Sequence, residues 1–324
     1  MGENCSGAGK LHQLLIKKIT PTAALEPAKK HTVNITTSLV KALIADQFPQ
    51  YRGLDISLVR FSGSDNRTFH LGDDKLVRMP SAEGYAPQVL KEQKWLPVLD
   101  KYFEIQIPKP LHLGRPGTGF PWHWSIYQFI PGTSVNALKL TPSEICALAY
   151  DLASFIKALH KAPTKDAPAG GLHNYHRGCH PSVYNQDARR DIKTLSDSID
   201  SVKALKLWET ALESEWRKDP VWVHGDIAIG NILMRNGNLS AVIDFGCMGV
   251  GDPACDLVIA WTFFDGESRK IFKNEIGLDV DTWNRARAWA LWKANFELVG
   301  LRNKSSDEAV QKIKRIDAVI NDIE

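Results

Sequence analysis

The stretch from Val221 to Asp256, VWVHGDIAIGNILMRNGNLSAVIDFGCMGVGDPACD, constrains the fold of this chain more than any other, because it spells a hairpin with a polar loop at each open end. Ile232-Leu233-Met234 and Ala241-Val242-Ile243 are apolar runs that flank Asn236-Gly237, a pair suited to a tight turn because both residues tolerate positive φ. Folding about that turn brings the loop before the first strand beside the loop after the second, so that Asp226 and Asn231 meet Asp244. Such an oxygen-rich cluster suits Mg²⁺, which takes one or two protein oxygens and fills the rest of its shell from phosphate and water. Asn231 and Asp244 are the expected metal ligands. Asp226, five residues before Asn231, is then left to accept a hydrogen bond from a hydroxyl and take its proton.

The rest of the chain bounds the setting. With 324 residues, 44% of them hydrophobic, it has enough material for two lobes around a cleft. No stretch approaches the roughly 20 apolar residues of a membrane span, and no compact apolar signal core opens the sequence, so the expectation is a soluble cytoplasmic protein. Its 5 cysteines lack a Cys-x-x-Cys pair, which points away from a disulfide framework or a thiolate zinc site. A formal charge of +3 is too weak to favour nucleic acid or an anionic membrane as partner.

Residues 1–35, lysine-rich with two prolines, are expected to form an extension. Its Gly7-Ala8-Gly9-Lys10 lacks the earlier glycine of a phosphate loop, since Asn4 stands there. Leu39, Val40, Leu43 and Ile44 recur at helical spacing. Ile56 to Phe61, Thr68 to Leu71 and Leu76 to Met79 read as antiparallel strands separated by turn residues, and a helix over 86–99 follows. Residues 108–121 are rich in proline and glycine, and Trp122 to Ile130 reads as a further strand before Pro131-Gly132 breaks it. Thr141-Pro142-Ser143-Glu144 supplies an N-cap, an N1 proline and a capping box for a long amphipathic helix. Residues 162–190 are loop-rich, and helices dominate from about 200 onward except around 221–244.

His224-Gly225-Asp226 with Asn231, followed by Asp244-Phe245-Gly246, resembles the catalytic-loop and metal-loop pair of the kinase fold. Protein kinases usually carry Arg where Gly225 stands; the His-Gly-Asp form is similar to that of the aminoglycoside phosphotransferases and related small-molecule kinases. Gly251-Asp252-Pro253 with Asp256 resembles their next segment, and the likeness extends over roughly residues 55–300. It implies an α+β, protein-kinase-like two-lobed fold, with a small antiparallel-sheet N-lobe over 36–130 that binds nucleotide and a larger, mainly helical C-lobe over 131–324 that holds catalysis and acceptor. The implied cofactors are ATP or GTP with Mg²⁺. The implied reaction is transfer of the γ-phosphoryl group to a hydroxyl of a small molecule, foremost an aminoglycoside-type antibiotic, by a monomer or weak dimer.

The resemblance also assigns residues. Ser64 and nearby backbone N–H groups fall where a phosphate-covering loop lies, and Gln128-Phe129-Ile130 falls at the hinge that meets the purine edge. Arg78 stands in place of the usual phosphate-binding lysine, with Glu92 on the next helix as its partner. Arg grips phosphate with a fork that Lys lacks, so the exchange alters reach as well as charge. His224, Asp252 and Asp256 are expected to support the catalytic loop. Trp261, Phe264 and Asp265 are expected to face the cleft, and Asp265, Glu267 and Glu297 are the carboxylates of an acidic pocket if the acceptor is a polycation. Trp283, Trp289 and Trp292 read as core anchors. The loop of His173, His176, Cys179 and His180 fits no compact zinc spacing and is expected to border the acceptor pocket. Other acceptors (a macrolide, a tuberactinomycin-type peptide, a sugar, choline, homoserine) and a catalytically silent nucleotide-binding regulator remain alternatives. No Ala-Pro-Glu pattern of a protein kinase follows Asp244.

Overall fold

The computed structural model describes residues 33–59 and 65–322; most of the 1–35 extension, and Ser64 with its neighbours, lie outside the described residues. Helix α1 (Thr37–Gln47) starts where the Thr36 hydroxyl accepts from the Leu39 N–H, and it buries Val40, Leu43 and Ile44. Five strands follow around helix α2: β1 (Ile56–Leu58), β2 (Asn66–Leu71), β3 (Lys75–Pro80), α2 (Ala86–Leu99), β4 (Pro110–Gly114) and β5 (Trp124–Gln128). The sheet order is β1-β2-β3-β5-β4, antiparallel throughout, with Thr68 opposite Arg78 and Arg78 opposite Ser125. Phe69, Leu71, Val77, Met79, Trp124 and Ile126 make one apolar cluster with α1.

Strand β4 is a departure from the sequence reading, which left residues 108–121 without a strand. Its first residue is Pro110, and a bulge separates Pro110 from His112. An edge strand tolerates such a start because proline has no amide to donate inward. Gly114 lets the edge close over the core, since a Cβ there would lie 2.1 Å from the Trp124 ring.

Beyond β6 (Thr133–Ser134), the long helix α3 (Pro142–Lys161) carries the expected capping box, with the Glu144 carboxylate accepting from the Thr141 N–H at 2.7 Å. Helices α4 (Asn185–Thr194) and α5 (Ser201–Leu212) lead to β7 (Val221–Val223), the hairpin β8 (Ile232–Arg235) and β9 (Asn238–Val242), and β10 (Gly249–Gly251). Asn236 and Gly237 both take positive φ in the hairpin turn. Helices α6 (Ile259–Thr262), α7 (Gly266–Ile276), α8 (Val280–Gly300) and α9 (Asp307–Ile320) complete the C-lobe. This is the two-lobed kinase-like architecture: an antiparallel sheet on one side and a mainly helical body on the other. Among the described residues, no helix is long and apolar enough to cross a membrane.

Candidate active site

The catalytic loop hangs from β7, which pairs with β10, and a buried carboxylate shapes it. Asp256 is fully buried and accepts the N–H of His224 at 2.6 Å and of Gly225 at 2.7 Å. Burial pushes the Asp256 carboxyl up, against the pull of those two amides. Gly225 has φ +83°, and a Cβ on it would sit 2.4 Å from the Cys247 carbonyl, so the loop can take this path only with glycine. His224 bonds the Ile243 carbonyl through Nε2 at 3.0 Å and accepts the Asp226 N–H on Nδ1 at 3.2 Å. That pattern requires the proton on Nε2 and leaves no free lone pair, so His224 is a brace rather than a base. Asp252 is likewise structural: it accepts from Ala254 N–H at 3.0 Å and from the buried Arg285 guanidinium at 2.6 Å.

Asp226 is presented beyond that brace. Its Oδ2 accepts from Asn231 Nδ2 at 3.1 Å and its Oδ1 from Lys293 Nζ at 3.3 Å. Burial raises the carboxyl, but chiefly the charge and hydrogen bond of Lys293 outweigh it and hold Asp226 below the usual carboxylate range. Asn231 also donates to the Asp226 carbonyl at 3.0 Å and accepts the Ile243 N–H on its own carbonyl at 2.8 Å. Asp244 therefore follows directly on the residue bonded to Asn231, as the hairpin required. The Asn231 amide oxygen and the Asp244 carboxylate are oxygen donors of the kind Mg²⁺ takes.

Arg78 connects this cluster to the small lobe. On β3, it bonds Glu92 of α2 at 3.0 Å and also grips the Asp244 carboxylate. Burial opposes its charge, and Asp244 and Glu92 more than restore it. Glu92 is buried and accepts the Tyr127 hydroxyl at 2.6 Å. Asn66, with its amide oxygen turned inward, accepts from Arg78 Nη2 at 3.1 Å and Nε at 3.3 Å on that one oxygen. Helix α2 is seated on the metal loop by two further contacts. Lys91 donates to the Met248 carbonyl at 3.0 Å, and a Cβ on Gly246 would meet Gln88 Oε1 at 2.5 Å.

At the hinge, the Gln128 N–H is taken by the Lys109 carbonyl at 3.0 Å and the Phe129 N–H by the Asp74 carbonyl at 2.8 Å. The Ile130 N–H has no partner among the described residues, which singles it out from the expected trio as the amide able to meet a purine.

The expected acceptor residues are not brought to Asp226. Helix α6 is a single turn, because the Phe263 and Phe264 N–H groups both fold back onto the Ile259 carbonyl. The stretch after Asp256 thus dives into the core instead of running along the cleft. Trp261 is buried against Trp283 with its indole N–H on Asp322 at 2.8 Å, and Phe264 is buried against Phe272. Asp265 caps α7, Glu267 is exposed on its first turn, and Glu297 pairs with Lys312 at 2.7 Å.

Beside Asp226 lies a small crevice of about 10 Å³, room for a single water, lined by Arg177, Ile227, Cys255, Trp289, Trp292 and Lys293. Trp289 and Trp292 are core anchors as expected, 2% and 8% exposed, and they also wall the site. Lys293 and Arg177 were not foreseen. The available signal was spacing: Trp289, Trp292 and Lys293 fall at i, i+3 and i+4, one face of α8. Arg177 comes from the histidine-bearing loop, whose histidines face separate partners: His173 bonds Lys91 and Ala169, and His180 bonds Ser182 and Ser214.

The description "Phosphotransferase enzyme family" matches residues 57–289. This chain belongs to that family. Aminoglycoside 3'-phosphotransferases of Escherichia coli and Salmonella typhimurium are each 24% identical to it over 168 residues. Those matches cover 50% of this phosphotransferase-family chain and 61% of each relative, so the chain spans less than two thirds of the curated relatives' length. Among solved structures, the GDP complex of wild-type aminoglycoside 2'-phosphotransferase-IIIa superposes with a TM-score of 0.66 at 19% identity, covering 88% of this chain and 99% of that one. Macrolide 2'-phosphotransferase type I superposes at 0.58 with 18% identity, covering 86% and 97%. These likenesses establish the shared fold.

Proposed function

We propose that this protein transfers the γ-phosphoryl group of ATP or GTP to a hydroxyl of a small molecule. The observation that carries the reading is the placement of Asp226, Asn231 and Asp244 at one end of the hairpin, with Arg78 reaching Asp244 from the opposite lobe. Asp226 accepts the acceptor's hydroxyl proton and orients its oxygen, which attacks the γ-phosphorus in line while the bond to the β-phosphate oxygen breaks. Asn231 and Asp244 would hold Mg²⁺, which supplies charge neutralisation on the phosphates. Arg78 turns its fork to the phosphates while Glu92 keeps it anchored, and Ile130 offers its N–H to the base. Ser64, by its position in the sequence between the first two strands, would donate to the phosphates. The names of the curated relatives favour an aminoglycoside acceptor, and the lining of the cavity, in which Asp226 is the one carboxylate, favours a different class.

The test is Mg²⁺-dependent nucleotide consumption by the wild-type protein and Asp226→Ala, with ATP and GTP each offered against aminoglycosides, macrolides and small alcohols. Turnover that vanishes in the variant while nucleotide still binds supports the reading. Failure to bind either nucleotide would sink it.

A further inference from the structure

Resting on that reading, we infer that the acceptor is an alcohol carrying an oxyanion, a carboxylate or phosphate ester, near its reacting hydroxyl, and that Arg177 and Lys293 recognise the anion. Two permanent or near-permanent cations line the cavity against one carboxylate, Asp226, which the chemistry needs for itself. Lys293 is shared with Asp226, but Arg177 has no carboxylate partner among the described residues. Its Nε donates to the Gly225 carbonyl at 2.9 Å and its Nη1 to the Tyr175 carbonyl at 3.3 Å, which leaves Nη2 unspent.

Arg177 is also held in place. Its guanidinium lies 5.0 Å from the Trp289 ring centre and 5.3 Å from that of Trp292. The loop that presents it turns through positive φ at Tyr175, His176 and Gly178 and is pinned by fully buried Asn174, which accepts from Gly171 N–H and donates to the Arg177 carbonyl, both at 2.9 Å. The indole N–H groups of Trp289 and Trp292 are buried and find no acceptor among the described residues. Those N–H groups are sealed within the core, so the charge of the lining rests on Arg177 and Lys293 against Asp226, without the further carboxylates a polycation requires. An anionic acceptor approaching a bound triphosphate is repelled by it, and cations behind the acceptor offset that repulsion.

The experiment uses the full chain with Mg·ATP and matched acceptor pairs: gluconate with sorbitol, glycerate with glycerol, glucose 6-phosphate with glucose, and kanamycin as the polycation. Nucleotide consumption is measured alongside quenching of tryptophan fluorescence, which reports binding without turnover. The expected result is that an oxyanion-bearing acceptor exceeds its uncharged counterpart by about tenfold or more in kcat/KM or in affinity. That preference should collapse in Arg177→Gln and return in part in Arg177→Lys. Kanamycin preferred over every oxyanion, equal response within all pairs, no response to any oxyanion, or a preference intact in Arg177→Gln would each overturn the inference. If a variant fails to fold, the wild-type preference alone decides. Loss of Mg·ATP binding by the wild type would count instead against the phosphotransferase reading, so the two failures are distinguishable.

Discussion

Replacing Asp256 by Asn tests the claim that a buried carboxylate, remote from the reacting atoms, sets the catalytic loop. The carboxylate accepts two backbone amides, from His224 and Gly225, while an Asn side chain offers one oxygen and must aim its NH₂ at the other N–H. One charge-assisted bond of about 1.5–3 kcal/mol is lost and one buried donor is left facing another, for about 1–3 kcal/mol more. Relief of the buried charge returns part of this, since burial raises the native Asp256 carboxyl. A net loss of about 2–4 kcal/mol remains, or roughly 3–6 °C in Tm for a chain of this length. Misplacing Asp226 by a fraction of an ångström should also lower kcat about a hundredfold, with nucleotide affinity changed far less. Thermal melts would be paired with turnover assays at a temperature where circular dichroism shows both proteins folded. A stability change under about 1 kcal/mol together with unaltered kcat would refute the reasoning.

Because chiefly Lys293 holds Asp226 below the usual carboxylate range, turnover should persist on acidification until the pH passes that depressed value, and Lys293→Met should move the acid limb of the kcat profile upward; identical limbs would count against the electrostatic assignment. His160, half-buried in α3 with its Nε2 sealed and unpartnered, is driven down to about 4 by burial. The unfolded chain then binds the extra proton between about pH 6.5 and 4, so stability should fall with pH across that window by at most about 3 kcal/mol, and His160→Leu should flatten this part of a Tm-against-pH curve. Arg78→Met strands buried Glu92 beside Tyr127, which should cost about 3 kcal/mol and weaken nucleotide binding in a titration, whereas Asp226→Asn should leave that binding in place.

Several features were legible in the residues because their causes are local. The Asn236-Gly237 turn between two apolar runs determined the β8–β9 hairpin, and with it the meeting of Asp226, Asn231 and Asp244. The capping box of α3 lies within four consecutive residues. The family resemblance carried the Arg78–Glu92 pair, and the structure adds that the same guanidinium holds Asp244, 166 residues away. Only tertiary structure decided what stands beside Asp226. Lys293 and Arg177 reach Asp226 from a helix and a loop that no short-range pattern links to it. Trp261 and Phe264 were misplaced because helical spacing says which residues share a face and is silent about where a single-turn helix stops. Strand β4 escaped notice because a proline-rich edge strand lacks the alternation that marks a buried one. Periodicity and turn chemistry act over a few residues, whereas the charge lining a cavity is a sum over elements far apart in the chain, and only packing brings those elements together.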